Sequence, residues 1–261
     1  MTKILALAGR KSSGKNTAVN FLLGVYMLGL RVVHNSTQIT PEGQLLISDL
    51  FGDENITGIF DIYREDNEQI VNLLEQHIHP YIKVYSFANL LKHNVCMNIL
   101  GLSYEQCYGT EKQKNTKTHL KWENMPDIGK YPMHPQTGHM TARNVMQYVG
   151  TNIFRNMYGN VWVDATIRRI QSENSDLAVI TDCRFPNEVD GVQKAGGRVI
   201  YLTRNPYQDK HTSETALDEE NFDRNKFDAV IDNAKMTIEE QNEALYNILR
   251  PWDYIPEVLT G

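Results

Sequence analysis

Nine residues carry the strongest chemical signal in this sequence. Gly9-Arg10-Lys11-Ser12-Ser13-Gly14-Lys15-Asn16-Thr17 follows an apolar run, Ile4 to Ala8, and precedes a stretch of helical periodicity. Strand, glycine-bounded turn and helix start are the context of a phosphate loop. The glycines let the backbone fold so that its N–H groups point inward, and the helix start adds its own partial positive charge. Lys15 supplies a point charge between a transferred phosphate and its neighbour. Most such loops place a Ser or Thr hydroxyl directly after the lysine, as a Mg2+ ligand. Here that position is Asn16, and the hydroxyl comes one residue later, at Thr17.

Passing a phosphoryl group between two anions requires several cations and fixed donors. Lys92, Arg143, Arg155, Arg184 and Arg204 are the candidates, each near a strand end or a helix start. Asp182 closes an apolar strand, where a carboxylate is costly unless it is hydrogen-bonded or paired. It can align Arg184, hold a water of Mg2+ or meet a sugar hydroxyl. Glu188, six residues on, is either a ligand or an ordinary acid of a helix first turn. Trp162 either stacks on a base or fills a core. His211, in Lys210-His211-Thr212-Ser213-Glu214, is a phosphate donor or a surface histidine. Lys112, Lys114, Lys117 and Lys121 lie in a polar stretch, Gly109 to His139, that suits a lid excluding water.

The elements that must position these groups follow from periodicity. Strands are expected at Ile4–Ala8, Tyr81–Phe87, Leu177–Thr181, Arg198–Thr203 and Ala229–Ile231. Helices are expected at 15–29, Glu68–His79, Ala88–Leu100, Thr141–Tyr158, Val161–Glu173, Pro186–Ala195 and Thr237–Leu249. Thr237 and Glu240 form a capping-box pattern at the start of the last helix. The alternation predicts an α/β fold, a mostly parallel sheet with helices on both faces, whose ligands bind at the carboxyl ends of the strands. One domain over residues 1–250 is expected, with an insertion at 30–66 that includes a β-hairpin, the loop at 109–139, and a tail at 251–261.

Composition narrows the class. The chain has 261 residues, 41% apolar and 22% charged, which is ordinary for a folded soluble protein. A net charge of −6 argues against non-specific binding to nucleic acid or to an anionic membrane. Cys96, Cys107 and Cys183 have neither CxxC nor zinc spacing, so reduced thiols and no structural metal are expected. The first apolar run is too short for a signal peptide or a membrane span, and the expected location is the cytoplasm.

The sequence resembles the bacteriophage-type deoxynucleoside monophosphate kinases. The resemblance rests on Gly9 to Thr17, Ser86-Phe87-Ala88-Asn89-Leu90-Leu91-Lys92, Tyr104 to Lys112, Thr141-Ala142-Arg143 and Gln147-Tyr148-Val149-Gly150-Thr151. It continues through Val161-Trp162, the specific stretch Ile180-Thr181-Asp182-Cys183-Arg184-Phe185-Pro186-Asn187-Glu188, His211-Thr212-Ser213-Glu214 and Val230-Ile231-Asp232-Asn233. It covers most of residues 1–16 and 84–250 and leaves out 30–66. It implies a P-loop kinase-like fold and an ATP-dependent, Mg2+-requiring transfer that makes deoxynucleoside diphosphates. Lys11, Ser12, Ser13, Gly14, Lys15, Asn16 and Thr17 would bind the ATP phosphates. Lys92, Arg143, Gly150, Thr151, Trp162, Asp182, Arg184 and Glu188 would line the acceptor pocket. Lys15, Arg143 and Arg184 would serve the transfer itself, with no protein ligand to a metal assigned. The family's homodimers make a second copy an expected partner. Two other readings share the phosphate loop: a kinase acting on another small molecule, and an ATP-binding protein without turnover. A GTP switch is set aside, because Asn225-Lys226-Phe227-Asp228 follows a polar stretch and not an apolar strand.

Overall fold

The computed structural model describes residues 2–62, 68–206 and 212–256. In chain order the elements are β1 (Lys3–Ala8), α1 (Lys15–Gly29), β2 (Thr37–Ile39), β3 (Leu45–Ile47), β4 (Gly58–Phe60), α2 (Glu68–Leu73), β5 (Ile82–Tyr85), α3 (Phe87–Asn89), α4 (Tyr104–Tyr108), α5 (Glu111–Lys114), β6 (Lys117–Lys121), β7 (His139–Thr141), α6 (Ala142–Gln147), α7 (Val161–Glu173), β8 (Leu177–Cys183), α8 (Pro186–Lys194), β9 (Arg198–Leu202), α9 (Thr212–Thr215), β10 (Ala229–Ile231) and α10 (Ile238–Leu249). Helices α2, α3 and α6 each run on into a wider π-helical stretch, Leu74–Ile78, Leu90–Ile99 and Tyr148–Arg155. Contacts divide the chain into two compact units. One comprises Met1–Tyr85 with Ile167–Gly261, the other Ser86–Thr166.

The first unit holds a five-stranded sheet in the order β10-β9-β1-β8-β5, every neighbouring pair parallel. β1 is the switch point: its two neighbours are reached by chain running off in opposite directions, and its carboxyl end opens the crevice where such sheets bind ligands. Both faces of β1 are buried, so its sequence reads as a continuous apolar run and not as an alternation. Leu5 and Leu7 join a core with Ala18, Leu22 and Leu23 of α1 and Leu245 and Leu249 of α10. The opposite face meets α8, where Gly197 lies so close that an added Cβ would stand 2.8 Å from both Ile4 and Val192. The expected α/β architecture with helices on both faces is what the chain adopts.

The segment expected as a hairpin-bearing insertion is a three-stranded antiparallel meander, β2-β3-β4. Its inward side chains Leu45, Ile47 and Phe60 belong to the same core as α1, so it is part of the first unit's interior. Gly24 on α1 makes room for it: a Cβ there would lie 2.8 Å from Thr37 Oγ1. Asp49, fully buried, closes the meander by accepting N–H bonds from His34 and Asn35 at 2.9 Å and Gly52 at 3.2 Å, and the Ser48 hydroxyl at 3.0 Å. Burial alone would raise its carboxyl, but these donors hold it well below the usual carboxylate range.

The second unit has its own core of Cys96, Leu102, Cys107, Trp122, Met140, Val145 and Tyr148. Residues 109–139, expected as one long loop, carry α5, β6 and two short 3-10 turns, and β6 pairs with β7. Trp122 and Tyr148 meet edge-to-face across this core. All three cysteines are free and buried. Among the described residues, no helix is long and apolar enough to cross a membrane.

Candidate active site

In the first unit the chain leaves β1 at Ala8 and turns through two positive-φ glycines, Gly9 at 138° and Gly14 at 100°. A Cβ at Gly9 would stand 2.6 Å from the Leu202 carbonyl oxygen, and one at Gly14 would collide with Gln241 Oε1. Only glycine satisfies both the backbone conformation and the space. Gly14 is also the N-cap of α1, which therefore has no side-chain cap and no acid in its first turn. Helices α4, α5, α6 and α10, by contrast, start on Ser103, Thr110, Thr141 and Thr237, each in a capping box. The start of α1 thus has neither a capping side chain nor a first-turn acid, a setting that attracts anions.

Lys15 folds back over the loop. Its ammonium donates to the carbonyls of Gly9 at 2.7 Å and Arg10 at 2.6 Å, and to Ser13 Oγ at 3.2 Å. It is only 7% exposed, and its pKa falls to about 8. Burial is the larger cause and the positive charge of Arg184 the next, with Glu214 and Asp182 pulling the other way. A cation held this far from water gains strongly when a phosphate replaces the lost solvation.

Arg184 follows β8. Its guanidinium pairs with Glu214, and its backbone N–H donates to the Glu188 carboxylate at 2.7 Å. Glu188, buried in the first turn of α8, also accepts the Phe185 N–H at 3.1 Å, so it fixes the backbone from which Arg184 projects. Glu214 reaches the phosphate loop as well, accepting the Lys11 N–H at 2.6 Å. One carboxylate thus ties the loop to the arginine. Arg10 pairs with Asp218, three residues beyond α9. Asp182 is half-buried at the end of β8. Arg204, just past the end of β9, holds backbone. Its guanidinium donates to the carbonyls of Asn233 at 3.2 Å and Met236 at 2.7 Å, which anchors the turn after β10. Asn16 is exposed and Thr17 half-buried. Lys210 and His211 lie outside the described residues.

In the second unit, Lys92 sits in the π-helical stretch after α3, its ammonium 4.9 Å from the centre of the Tyr108 ring. Tyr108 in turn donates its hydroxyl to Asn89. Arg143, the second residue of α6, pairs with Glu111. Thr141 caps α6 and sets the direction of that turn. Gly150 is buried against Leu91, which would clash with any side chain there. Its carbonyl accepts the Trp162 indole N–H at 3.1 Å. Trp162 is 6% exposed, with its ring 5.1 Å from Phe154, so it fastens the Gly150–Thr151 segment from inside. Thr151 is exposed and Arg155 half-buried. Lys112, Lys117 and Lys121 are exposed, and Lys114 is half-buried.

Sequence reasoning from residue types alone passed over Glu214, Asp218, Asn233 and Gln241 as partners of the loop. Glu214 and Asn233 stood in resembling stretches, which was the available signal. Gln241, a polar residue on the apolar side of an amphipathic helix, gave a weaker one. Among the described residues, no three His, Cys, Asp or Glu side chains cluster as a metal site.

A five-stranded parallel sheet with a glycine-bounded loop after its central strand, a buried lysine over that loop and an arginine tied to it through one carboxylate are the parts of a P-loop kinase-like fold. The sequence model of the family described as deoxynucleotide monophosphate kinase matches residues 48–244, and the chain belongs to that family. The match begins beyond the phosphate loop, so the loop's geometry is an independent observation. A protein of Acanthamoeba polyphaga mimivirus, described as "Putative deoxynucleotide monophosphate kinase", is 32% identical over 169 residues, covering 59% of this chain and 76% of its own length.

Proposed function

We propose that this chain transfers the γ-phosphoryl group of ATP, taken as its Mg2+ complex, to the phosphate of a deoxynucleoside monophosphate. The products are the deoxynucleoside diphosphate and ADP. The observation that carries the reading is Lys15, buried and lowered to about 8 over an uncapped helix start, beside an arginine hooked to the same loop.

An oxygen of the acceptor phosphate attacks the γ-phosphorus in line. The bond from phosphorus to the β–γ bridging oxygen breaks, and that oxygen leaves on ADP with its electron pair. No covalent enzyme intermediate is required, because positioning and charge stabilisation supply the rate. Lys15 and the rest of residues 11–17 hold the β- and γ-phosphates, the Lys11 amide itself being given to Glu214. Arg184, braced by Glu214 and Glu188, stabilises the charge in flight. Arg143 and Lys92 bind the acceptor phosphate, and Gly150 and Thr151, backed by Trp162, shape its site. The Mg2+ that arrives with ATP spreads the charge on the phosphates. The oxygens of Asn16, Thr17 and Asp182 are suitable partners for its waters.

The test is to incubate the protein with ATP, Mg2+ and each common deoxy- and ribonucleoside monophosphate in turn, and to measure ADP and diphosphate. Diphosphate from one or more deoxynucleotides is expected. ATP binding with no transfer to any of them would overturn the proposal.

A further inference from the structure

A loop that turns its N–H groups toward an anion must turn its carbonyls the other way, into the protein. There they need donors, since an unpaired buried carbonyl is costly. For the carbonyls of Ser13 and Gly14 the donors include two side-chain amides from far along the chain, Gly14 also accepting the Ala18 N–H at 3.0 Å. Asn233 Nδ2 donates to the Ser13 carbonyl at 2.7 Å and to Gln241 Oε1 at 2.6 Å. Gln241 Nε2 donates to the Gly14 carbonyl at 3.3 Å. Both residues are almost wholly buried, Asn233 at 0% and Gln241 at 2% exposed. The Asn233 amide is itself held, because its Oδ1 accepts the Arg204 N–H at 2.8 Å. The Arg204 guanidinium then clasps the carbonyls of Asn233 and Met236. Space points the same way as bonding: Gln241 Oε1 occupies the volume a side chain at residue 14 would need.

We infer that Asn233 and Gln241 are positioning residues that brace the phosphate loop from behind and hold its amides in the phosphate-binding orientation. They act through Ser13 and Gly14, and Arg204 anchors the brace. The inference rests on the reading of residues 9–17 as a triphosphate site. It does not depend on which acceptor receives the phosphate. The Asn233 side chain meets the Ser13 carbonyl, the Gln241 amide and the Arg204 N–H, and through these hydrogen bonds it acts on the loop. Losing one donor from a buried loop carbonyl translates into about a tenfold change in an equilibrium.

The experiment measures binding of inorganic tripolyphosphate by calorimetry, together with the acceptor KM and the melting midpoint. Asn233→Ala is expected to bind tripolyphosphate about tenfold more weakly than wild type, with the acceptor KM unchanged. Gln241→Glu keeps the shape but presents a carboxylate to the Gly14 carbonyl at neutral pH. It should show a similar loss, recovered relative to wild type as acidification protonates the new side chain and restores a donor. That pH-dependent recovery is a readout a merely structural role would not give, and it decides the matter if Asn233→Ala does not fold. Folded variants that bind tripolyphosphate as wild type does, or that lose only melting temperature, would overturn the inference. Wild-type protein that binds tripolyphosphate but phosphorylates no deoxynucleotide would remove the proposed function and leave the brace standing. Wild-type protein that fails to bind tripolyphosphate would remove both.

Discussion

ATP binding should draw a proton from solution in mildly alkaline buffer, and Lys15 is the reason. In the free protein its pKa is about 8, against an ordinary value of 10.5. At pH 8 about half the molecules therefore hold a neutral Lys15, and at pH 9 about nine in ten do. A phosphate charge about 4 Å away, at an effective dielectric near 20, contributes roughly 4 kcal/mol, or about three pKa units. That more than reverses the depression, so in the complex Lys15 is fully protonated. Binding should then take up about half a proton at pH 8 and close to a whole one at pH 9. Affinity should fall about tenfold between pH 7 and pH 9. The phosphates' own last proton is gone by then and adds little. The assay is titration calorimetry in two buffers of different ionisation enthalpy, run on wild type and on Lys15→Arg, whose side chain stays charged throughout. Uptake should vanish in the variant. Wild-type binding with no buffer dependence at pH 8 to 9, or equal uptake by both proteins, would refute the reasoning.

Arg184→Ala should lower kcat at least a hundredfold and raise the acceptor KM, because it strands the buried Glu214 carboxylate and removes a cation from the site; steady-state kinetics check this, and an effect confined to the KM for ATP would contradict it. Gly14→Ala should destabilise the fold by about 3 kcal/mol, from backbone strain at φ 100° and collision with Gln241, as read by denaturant unfolding. Asp49→Asn should lower the melting midpoint, since an amide offers one acceptor where the carboxylate serves several donors. Its folded pKa lies below its unfolded one, so that stabilisation is present above pH 3.8 and lost on acidification. The gap between wild type and variant should therefore narrow below pH 4.

What was legible in the sequence was local. β1, the loop and α1 are contiguous, and glycines at 9 and 14 mark the turn directly. α7 runs from Val161 to Glu173 as periodicity predicts, and Thr237 caps α10 with Glu240 as its three-residue spacing predicts. The meander was hard to read because strands of three residues give too little alternation to distinguish from loop. The strand pair within 117–141 was hidden because its partners are separated by a long polar stretch, and only the small core around Trp122 makes the pairing worthwhile. The partners of the phosphate loop were illegible for a related reason. Glu214, Asn233 and Gln241 reach it from more than two hundred residues away, and no spacing rule connects an amide on α10 with a carbonyl at Gly14. Arg204 shows what a strand-end position leaves out: a cation there suggests phosphate, and its hold on the carbonyls of Asn233 and Met236 is visible only in three dimensions.

The strand order also sets a problem for synthesis. β1 lies at the centre of its sheet, yet Lys3 finds its place beside Leu177 and Leu5 beside Arg198. While the chain is being made, this apolar strand emerges before β8 and β9 and waits for neighbours that have not yet been translated. The stretch Ser86–Thr166, continuous and with its own core, can collapse on the ribosome in the meantime. Non-local pairing of this kind folds slowly and leaves strand edges open to other chains. Nascent protein halted before β8 has a core strand with no partner, which makes it a natural client for chaperones that shield apolar segments. Yield in a foreign host should therefore respond more to the rate of translation through β8 and β9 than to any change near the phosphate loop.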